Sequence, residues 1–258
     1  MLGAIVGDIV GSRFEFNNTK RTDFRLLTPQ CGYTDDTICT VAVAEAMLRG
    51  RNYGECIHEW CNRYPHPMGA YGGRFAQWVA SPSPSPYGSF GNGSAMRSSP
   101  IGWMDAPLEL VLEQAQRTAE CSHNHPEGIR GAQCIAACVW WIRRNSQDKQ
   151  GLRGFVAERF GYSLEGDCDT IRATNRFDET CQVTVPQAII AYLEGESFEE
   201  VLHLAISLGG DSDTIGDMAG ALAHAHYGIP TEIAQAVETY LPEDMLTILA
   251  EFDSVYMG

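Results

Sequence analysis

Apolar residues along this chain recur mostly three and four positions apart, and stretches that alternate apolar and polar at every second position are scarce. Spacing of that kind marks amphipathic helices rather than half-buried strands, so the sequence predicts an all-α fold. The first helix covers MLGAIVGDIVG, where Gly3, Gly7 and Gly11 recur every fourth residue. They line one face and let a second helix approach closely. A second helix runs from Asp35 to Arg49 and stops before Gly50 as its C-cap. In DAPLELVLEQAQRTAE, Asp105 reads as an N-cap with Pro107 in the first turn. SFEEVLHLAISLGG opens on a capping box, Ser197 with Glu200, and ends at Gly209 and Gly210. TIGDMAGALAHAHYGIP closes at Gly228 and Pro230, again a helix stop. No self-similarity at roughly 20 to 50 residues signals a solenoid.

Two stretches depart from this pattern. SPSPSPYGSFGNGSAMRSSP, residues 81 to 100, is too rich in Pro, Gly and Ser for regular structure. Phe90, Met96 and Arg97 are poor linker residues, so the segment reads as a binding loop. Residues 161 to 183 are irregular and acidic, and periodicity assigns them no element.

At 258 residues, with 44% hydrophobic and 20% charged side chains, the chain is expected to form one globular domain over residues 1 to 258. Its formal charge of −15, from 33 acidic and 18 basic residues, excludes non-specific binding to nucleic acid or an anionic membrane surface. An anionic ligand would need local help from cations, helix N-termini or a few arginines. Nine scattered cysteines with no CxxC pair read as reduced thiols, and a cytoplasmic protein is expected. The apolar N-terminal run lacks a basic flank and is interrupted by Asp8, so it reads as a core helix rather than a leader or membrane span. A monomer is expected.

The chemistry begins with GYTDDTICTV, residues 32 to 41, where Asp35 and Asp36 stand side by side between two threonines at the start of an apolar helix. GGDSDTIGDMAG, residues 209 to 220, repeats the arrangement with Asp211, Asp213 and Thr214. Capping a helix needs only one such side chain. Crowding at least two carboxylates raises the electrostatic cost of folding unless a cation neutralises them. Oxygen-only donors favour Mg²⁺ or Mn²⁺ over zinc or copper, and several carboxylates suit a pair of ions roughly 3.5 to 4 Å apart. An EF-hand is excluded, because Ile215 and Leu222 stand where that loop needs oxygen ligands. His123 and His125, like His224 and His226, are two apart, a spacing that turns helical side chains away from one another; the second pair reads as structural. HExxH, GxSxG and Walker motifs are absent from the sequence.

GAIVGDIVGSRFEF, YTDDT, GNGSAMR, SHNHPEG and GGDSDTIG, in that order, closely resemble the motifs of the ADP-ribosylglycohydrolase family. The resemblance spans the chain to about Pro230, and implies an all-α orthogonal helix bundle around a dinuclear metal centre. It implies Thr34, Asp35 and Asp36 as one set of metal ligands and Asp211, Asp213 and Thr214 as the other, holding two Mg²⁺ or Mn²⁺. Glu15 corresponds to a mobile glutamate that approaches the substrate as acid, base or gate; by position alone it is a solvated turn residue. Asp35 or Asp36 would also orient the attacking water. Gly91, Asn92, Gly93, Ser94, Met96 and Arg97 correspond to a loop around the diphosphate and distal ribose. His123 corresponds to a pocket-lining residue, and equally fits a surface helix cap. The implied activity is metal-dependent removal of ADP-ribose from a protein side chain, with arginine linkage favoured. Serine-linked or O-acyl-ADP-ribose conjugates, or a non-catalytic crystallin-like role, are the alternatives.

Overall fold

The structure, a computed structural model, describes residues 1–145 and 148–257. Among them are fourteen α-helices and no strand: α1 (Leu2–Gly11), α2 (Asp35–Arg49), α3 (Tyr53–Arg63), α4 (Gly73–Ala80), the single-turn α5 (Gly93–Met96), α6 (Leu108–Glu120), α7 (Pro126–Asn145), α8 (Lys149–Phe160), α9 (Cys168–Thr174), α10 (Cys181–Glu194), α11 (Phe198–Ser207), α12 (Ser212–Tyr227), α13 (Thr231–Glu238) and α14 (Glu243–Tyr256). The all-α expectation holds. One contiguous set of buried apolar side chains runs from Met1 on α1 to Phe252 on α14. No helix among the described residues is long and apolar enough to cross a membrane.

α1 and α12 form the centre, and both are buried along nearly their whole length. They can lie together because glycine meets glycine. A methyl group on Gly216 would stand 2.7 Å from the Gly7 carbonyl oxygen, and one on Gly7 would overlap the Gly216 carbonyl outright. Gly3 faces Gly220 in the same way one turn along, and a methyl on Gly11 would stand 2.6 Å from the Ser212 carbonyl oxygen. The Gly3 amide, one of the unpaired donors at a helix start, donates to His224 Nδ1 of α12 at 3.3 Å. His224 is thus a structural residue, as its spacing implied.

The helix ends follow local chemistry. Thr34 caps α2 through its side chain, and Gly50 ends that helix at φ 62°. Ser197 caps α11, while Glu200 returns a bond to the amide of Glu196, one residue before the cap. Asp105 is not an N-cap: α6 starts at Leu108 with Pro107 extended (ψ 148°) before it. Proline disfavours helical backbone in the residue before it, which delays the helix start, and Asp105 pairs instead with Arg144. The two irregular stretches also contain helix. α5 and a 3₁₀ turn at Ser99–Trp103 occupy the C-terminal part of the first and its continuation. α9 lies within the second, capped by Asp167.

The glycine contact sets a testable asymmetry. Gly7→Ala should destabilise by at least about 2 kcal/mol despite its better helix propensity, because the clash is with backbone that cannot rotate away. Gly154→Ala, at an exposed α8 position with open space around it, should stabilise by roughly 0.5–1 kcal/mol. Urea unfolding of both variants against wild type checks the pair of signs.

Candidate active site

α2 and α12 each begin at the floor of one cavity of about 520 Å³. Its walls include Glu15, Asp35, Asp36, Asp211, Asp213 and Thr214, together with Tyr71, Arg74, Phe75, Tyr87 and His123, which pack on one another. The two acidic clusters, about 175 residues apart in sequence, therefore meet in one place. Helix N-termini favour anionic side chains through their exposed amides and dipole, which is why acidic residues are tolerated there.

Glu15, Asp211 and Asp213 bring carboxylate oxygens within 4.8 Å of one another. Burial pushes the Glu15 carboxyl up to about 8, with the charges of Asp211 and Asp35 adding to it. Burial likewise raises Asp35 to about 7, with Asp8's charge adding. Asp36 and Asp213 rise well above the carboxylate range, through burial first and then each other's cluster: Asp213 acts on Asp36, and Asp211 on Asp213. Oδ2 of Asp36 and Oδ1 of Asp213 are buried without any hydrogen-bond partner. Buried acceptors are nearly always satisfied, so two orphaned carboxylate oxygens in an all-oxygen site fit a hard divalent cation.

Asp8 was not singled out by its sequence, where it is only a polar break in an apolar run. It is fully buried on α1 and accepts four hydrogen bonds: from the Thr34 amide (3.0 Å), Thr34 Oγ1 (2.8 Å), the Thr37 amide (3.1 Å) and Thr37 Oγ1. These bonds pull downward on a carboxyl that burial still leaves at about 6. Asp8 thereby clamps the first turn of α2 and orients Asp35 and Asp36. Thr34 gives its hydroxyl proton to Asp8 and accepts the Asp36 amide at 3.2 Å. It lies beneath the cavity wall rather than on it, whereas Thr214 lines the cavity.

The loop residues divide between wall and scaffold. Gly91, Asn92, Gly93, Met96 and Arg97 line the cavity. Asn92 Nδ2 donates to Asp211 Oδ2 at 2.7 Å, fixing a carboxylate. Ser94 is fully buried and donates to the Gly128 carbonyl at 2.8 Å, tying the loop to α7 rather than reaching the cavity. Arg97 is wholly buried, with its guanidinium held by the Thr118 carbonyl and Ser122 Oγ and only Nη1 unpartnered. It supplies positive charge at the wall itself, where Nη1 is left without a partner. His123 is not a surface cap: it is 5% exposed, bonded to Ser122 Oγ at 2.8 Å, and packed so that a methyl on Gly93 would stand 3.2 Å from its Nε2. Burial, with Arg97 and Arg74 assisting, pushes its pKa well below the usual value, so the ring is neutral.

The stretch at 161 to 183 turns out to back this loop. The Asn92 amide donates to the Glu179 carbonyl at 2.7 Å, and the Cys181 amide to the Phe90 carbonyl at 3.1 Å, around a Gly91–Thr180 bridge. Glu179 thus joins the cavity wall, and its carboxyl is raised by burial and then by Asp211 and Asp178.

The buried acids make a stability prediction for the chelated protein. Their folded pKa values lie above the unfolded ones, so their stabilising contribution is present at low pH and lost as pH rises through the folded values. The Met1 amine, pushed down to about 5, pulls the opposite way, as do His123 and His224 nearer pH 6.5. Between pH 8.5 and 6.5 the folded Glu15 and Asp35 carboxyls take up protons, against the Met1 amine and, at the lower edge, the two histidines, so the melting temperature should rise as pH falls. Saturating Mg²⁺ should flatten that slope. A chelated protein whose melting temperature stays level or drops over this window would contradict the crowding of ionised carboxylates.

Comparison with known proteins agrees with this architecture. The sequence profile described as ADP-ribosylglycohydrolase matches residues 1–256. The chain is 26% identical to human ADP-ribosylhydrolase ARH3, covering 95% of this chain and 90% of that protein. It is 23% identical to the ADP-ribosylarginine hydrolase Tri1 of Pseudomonas putida, covering 89% of this chain and 70% of that one. The fold superposes on a solved ADP-ribosylglycohydrolase-related protein complex with a TM-score of 0.68 at 24% identity, covering 97% of this chain and 94% of that chain. With the profile matched along nearly its whole length, the chain belongs to the ADP-ribosylglycohydrolase family.

Proposed function

We propose that this enzyme removes ADP-ribose from arginine side chains of modified proteins by hydrolysing the N-glycosidic bond at the distal ribose. The observation that carries this reading is the lining of this cavity, which joins a cluster of carboxylates to a group of aromatic side chains with Arg74 and neutral His123. Its volume is within the range of pockets that enclose most of a nucleotide-sized ligand. An ADP-ribose laid along it would place a sugar against the carboxylates and its diphosphate along the Gly91–Gly93 backbone, where glycine permits close approach.

In this reading Asp35, Asp36, Asp211, Asp213 and Thr214 would hold two Mg²⁺ or Mn²⁺, with Thr34 behind them joining Asp8 to the Asp36 amide. When bound, such ions supply the positive charge that grips ribose hydroxyls and activates water. The protein's own groups do the remainder. Asn92 fixes Asp211, and Asp8 fixes the turn that presents Asp35 and Asp36. Asp35 or Asp36 orients the attacking water. Glycosidic cleavage passes through an oxocarbenium-like state and needs a proton for the leaving atom. Glu15 borders both acidic clusters and sits against Gly69, whose φ of 79° belongs to the left-handed region. Its raised carboxyl retains a proton at neutral pH in the protein's own field, which suits it to deliver that proton.

Arginine is favoured over serine because Glu179, on the same wall as the proton-bearing Glu15, suits a cationic leaving group. A crystallin-like, purely structural role is disfavoured by the two orphaned carboxylate oxygens, since a scaffold gains nothing from leaving them unpaired.

Peptides carrying ADP-ribose on arginine or on serine, incubated with Mg²⁺ or Mn²⁺ and with or without chelator, test the reading. Release of ADP-ribose from the arginine peptide, abolished by chelator, is the expected result. Hydrolysis of the serine peptide alone would replace the linkage. Asp211→Ala and the near-isosteric Asp213→Asn should each lower kcat/KM by more than about a hundredfold. Unimpaired metal-supported turnover in either would refute its assignment as a ligand.

A further inference from the structure

Phe16 follows Glu15 directly and is 74% exposed, the most exposed large apolar side chain among the described residues. Its ring lies 6.1 Å from that of Phe177, nearly parallel at 25°, and Phe177 is itself 46% exposed. Phe16 comes from the turn after α1 and Phe177 from the extended segment between α9 and α10, so the pair bridges two walls of the cavity mouth. Phe16 lines the cavity itself, and Phe177 lines the adjoining groove, which shares Glu179 with it. Two large apolar rings held open to water beside a catalytic pocket gain nothing for the core. They call for a ligand.

The charge around them identifies its class. Asp178 and Glu179 follow Phe177 in the chain and line the same groove, and neither has an ion-pair partner among the described residues. Arg176, exposed beside Phe177, and Arg74, which lines the same groove with its guanidinium over the Tyr87 ring, make no ion pair with them. A flat cation stacks on an aromatic face and is steered by carboxylates around it, and guanidinium does this better than a compact ammonium. A neutral hydroxyl leaving group would draw nothing from either feature.

We propose that Phe16 and Phe177 form the acceptor subsite, stacking on the guanidinium of the arginine that carries ADP-ribose. They are specificity residues, outside the metal-ligand set. The inference rests on the arginine reading above and deepens it by naming the residues that select the acceptor.

Agmatine, a free guanidine on a short aliphatic arm, is the probe. It is titrated into the Mg²⁺-loaded protein with and without ADP-ribose and followed by ligand-observed NMR, while calorimetry measures ADP-ribose affinity. Because both rings are exposed, Phe16→Ala/Phe177→Ala should fold normally. It should bind agmatine about tenfold more weakly and ADP-ribose within about twofold of wild type. Tyrosine at both positions should retain agmatine binding, and leucine should lose it as alanine does. If leucine retains it, or ADP-ribose affinity falls in parallel, or wild type fails to bind agmatine, the proposal is overturned. The readout needs no turnover. Should only serine-linked peptides be cleaved, the linkage reading fails by the peptide assay while the aromatic pair is still judged by agmatine.

Discussion

Where α1 crosses α12, the carbonyl of Gly216 occupies the space that any side chain on Gly7 would take, and Gly3 and Gly220 repeat the arrangement one turn along. The helices are in backbone contact, and this approach determines what else the centre can contain. Asp8 follows Gly7, and Asp213 precedes Gly216 by three residues. Bringing the glycines together therefore sets Asp8 near Asp217, whose carboxyl it pushes up, and sets Asp213 against Gly11 one turn along. A bulkier interface would separate the α12 carboxylates from the turn of α2 that Asp8 holds.

That convergence concentrates negative charge beyond what the fold can neutralise. Each helix N-terminus contributes the equivalent of roughly half a positive charge, so α2 and α12 together offset about one. Six carboxyls, those of Asp8, Glu15, Asp35, Asp36, Asp211 and Asp213, lie on or just beneath the cavity floor. Arg97 is buried close enough to oppose the rise in Asp35, but burial and Asp8 prevail there. The remainder must be met by protons or by added cations. The site is built to favour occupancy by positive charge, and its affinity and its instability when stripped have one origin.

Much of this was legible in the chain. Three- and four-residue spacing gave the helical class, the Gly3–Gly7–Gly11 row gave a close helix contact, and paired aspartates with hydroxyls marked both helix starts. Residues whose chemistry is set by a distant partner stayed hidden. Asp8 looked like an interruption because its four donors lie on another helix, 26 and 29 residues away. Glu179 lay in a stretch without periodicity, since that stretch is organised by bonds to Phe90 and Asn92 rather than by its own pattern. Ser94 was legible as a member of a loop, but not its direction, and direction separates a residue facing the ligand from one facing α7. Asp105 misled because a good capping side chain was overruled by the backbone restriction of a nearby proline.

The same residue type plays three parts here, and hydrogen-bond accounting tells them apart. Asp8 has four donors on its two oxygens, so it is a saturated strut with little capacity left for a cation. Asp36 and Asp213 each keep one oxygen buried and unpartnered on the cavity wall, which is the signature of a ligand position. Asp217, one turn below Asp213, has both oxygens unpartnered but does not line the cavity. Burial and Asp8's charge push its pKa well up, while the Met1 amine opposes them. Sequence shows five aspartates of equal standing on three helices. Only their donors, and whether each faces the cavity, separate the strut from the ligands and both from the unpartnered acid beneath.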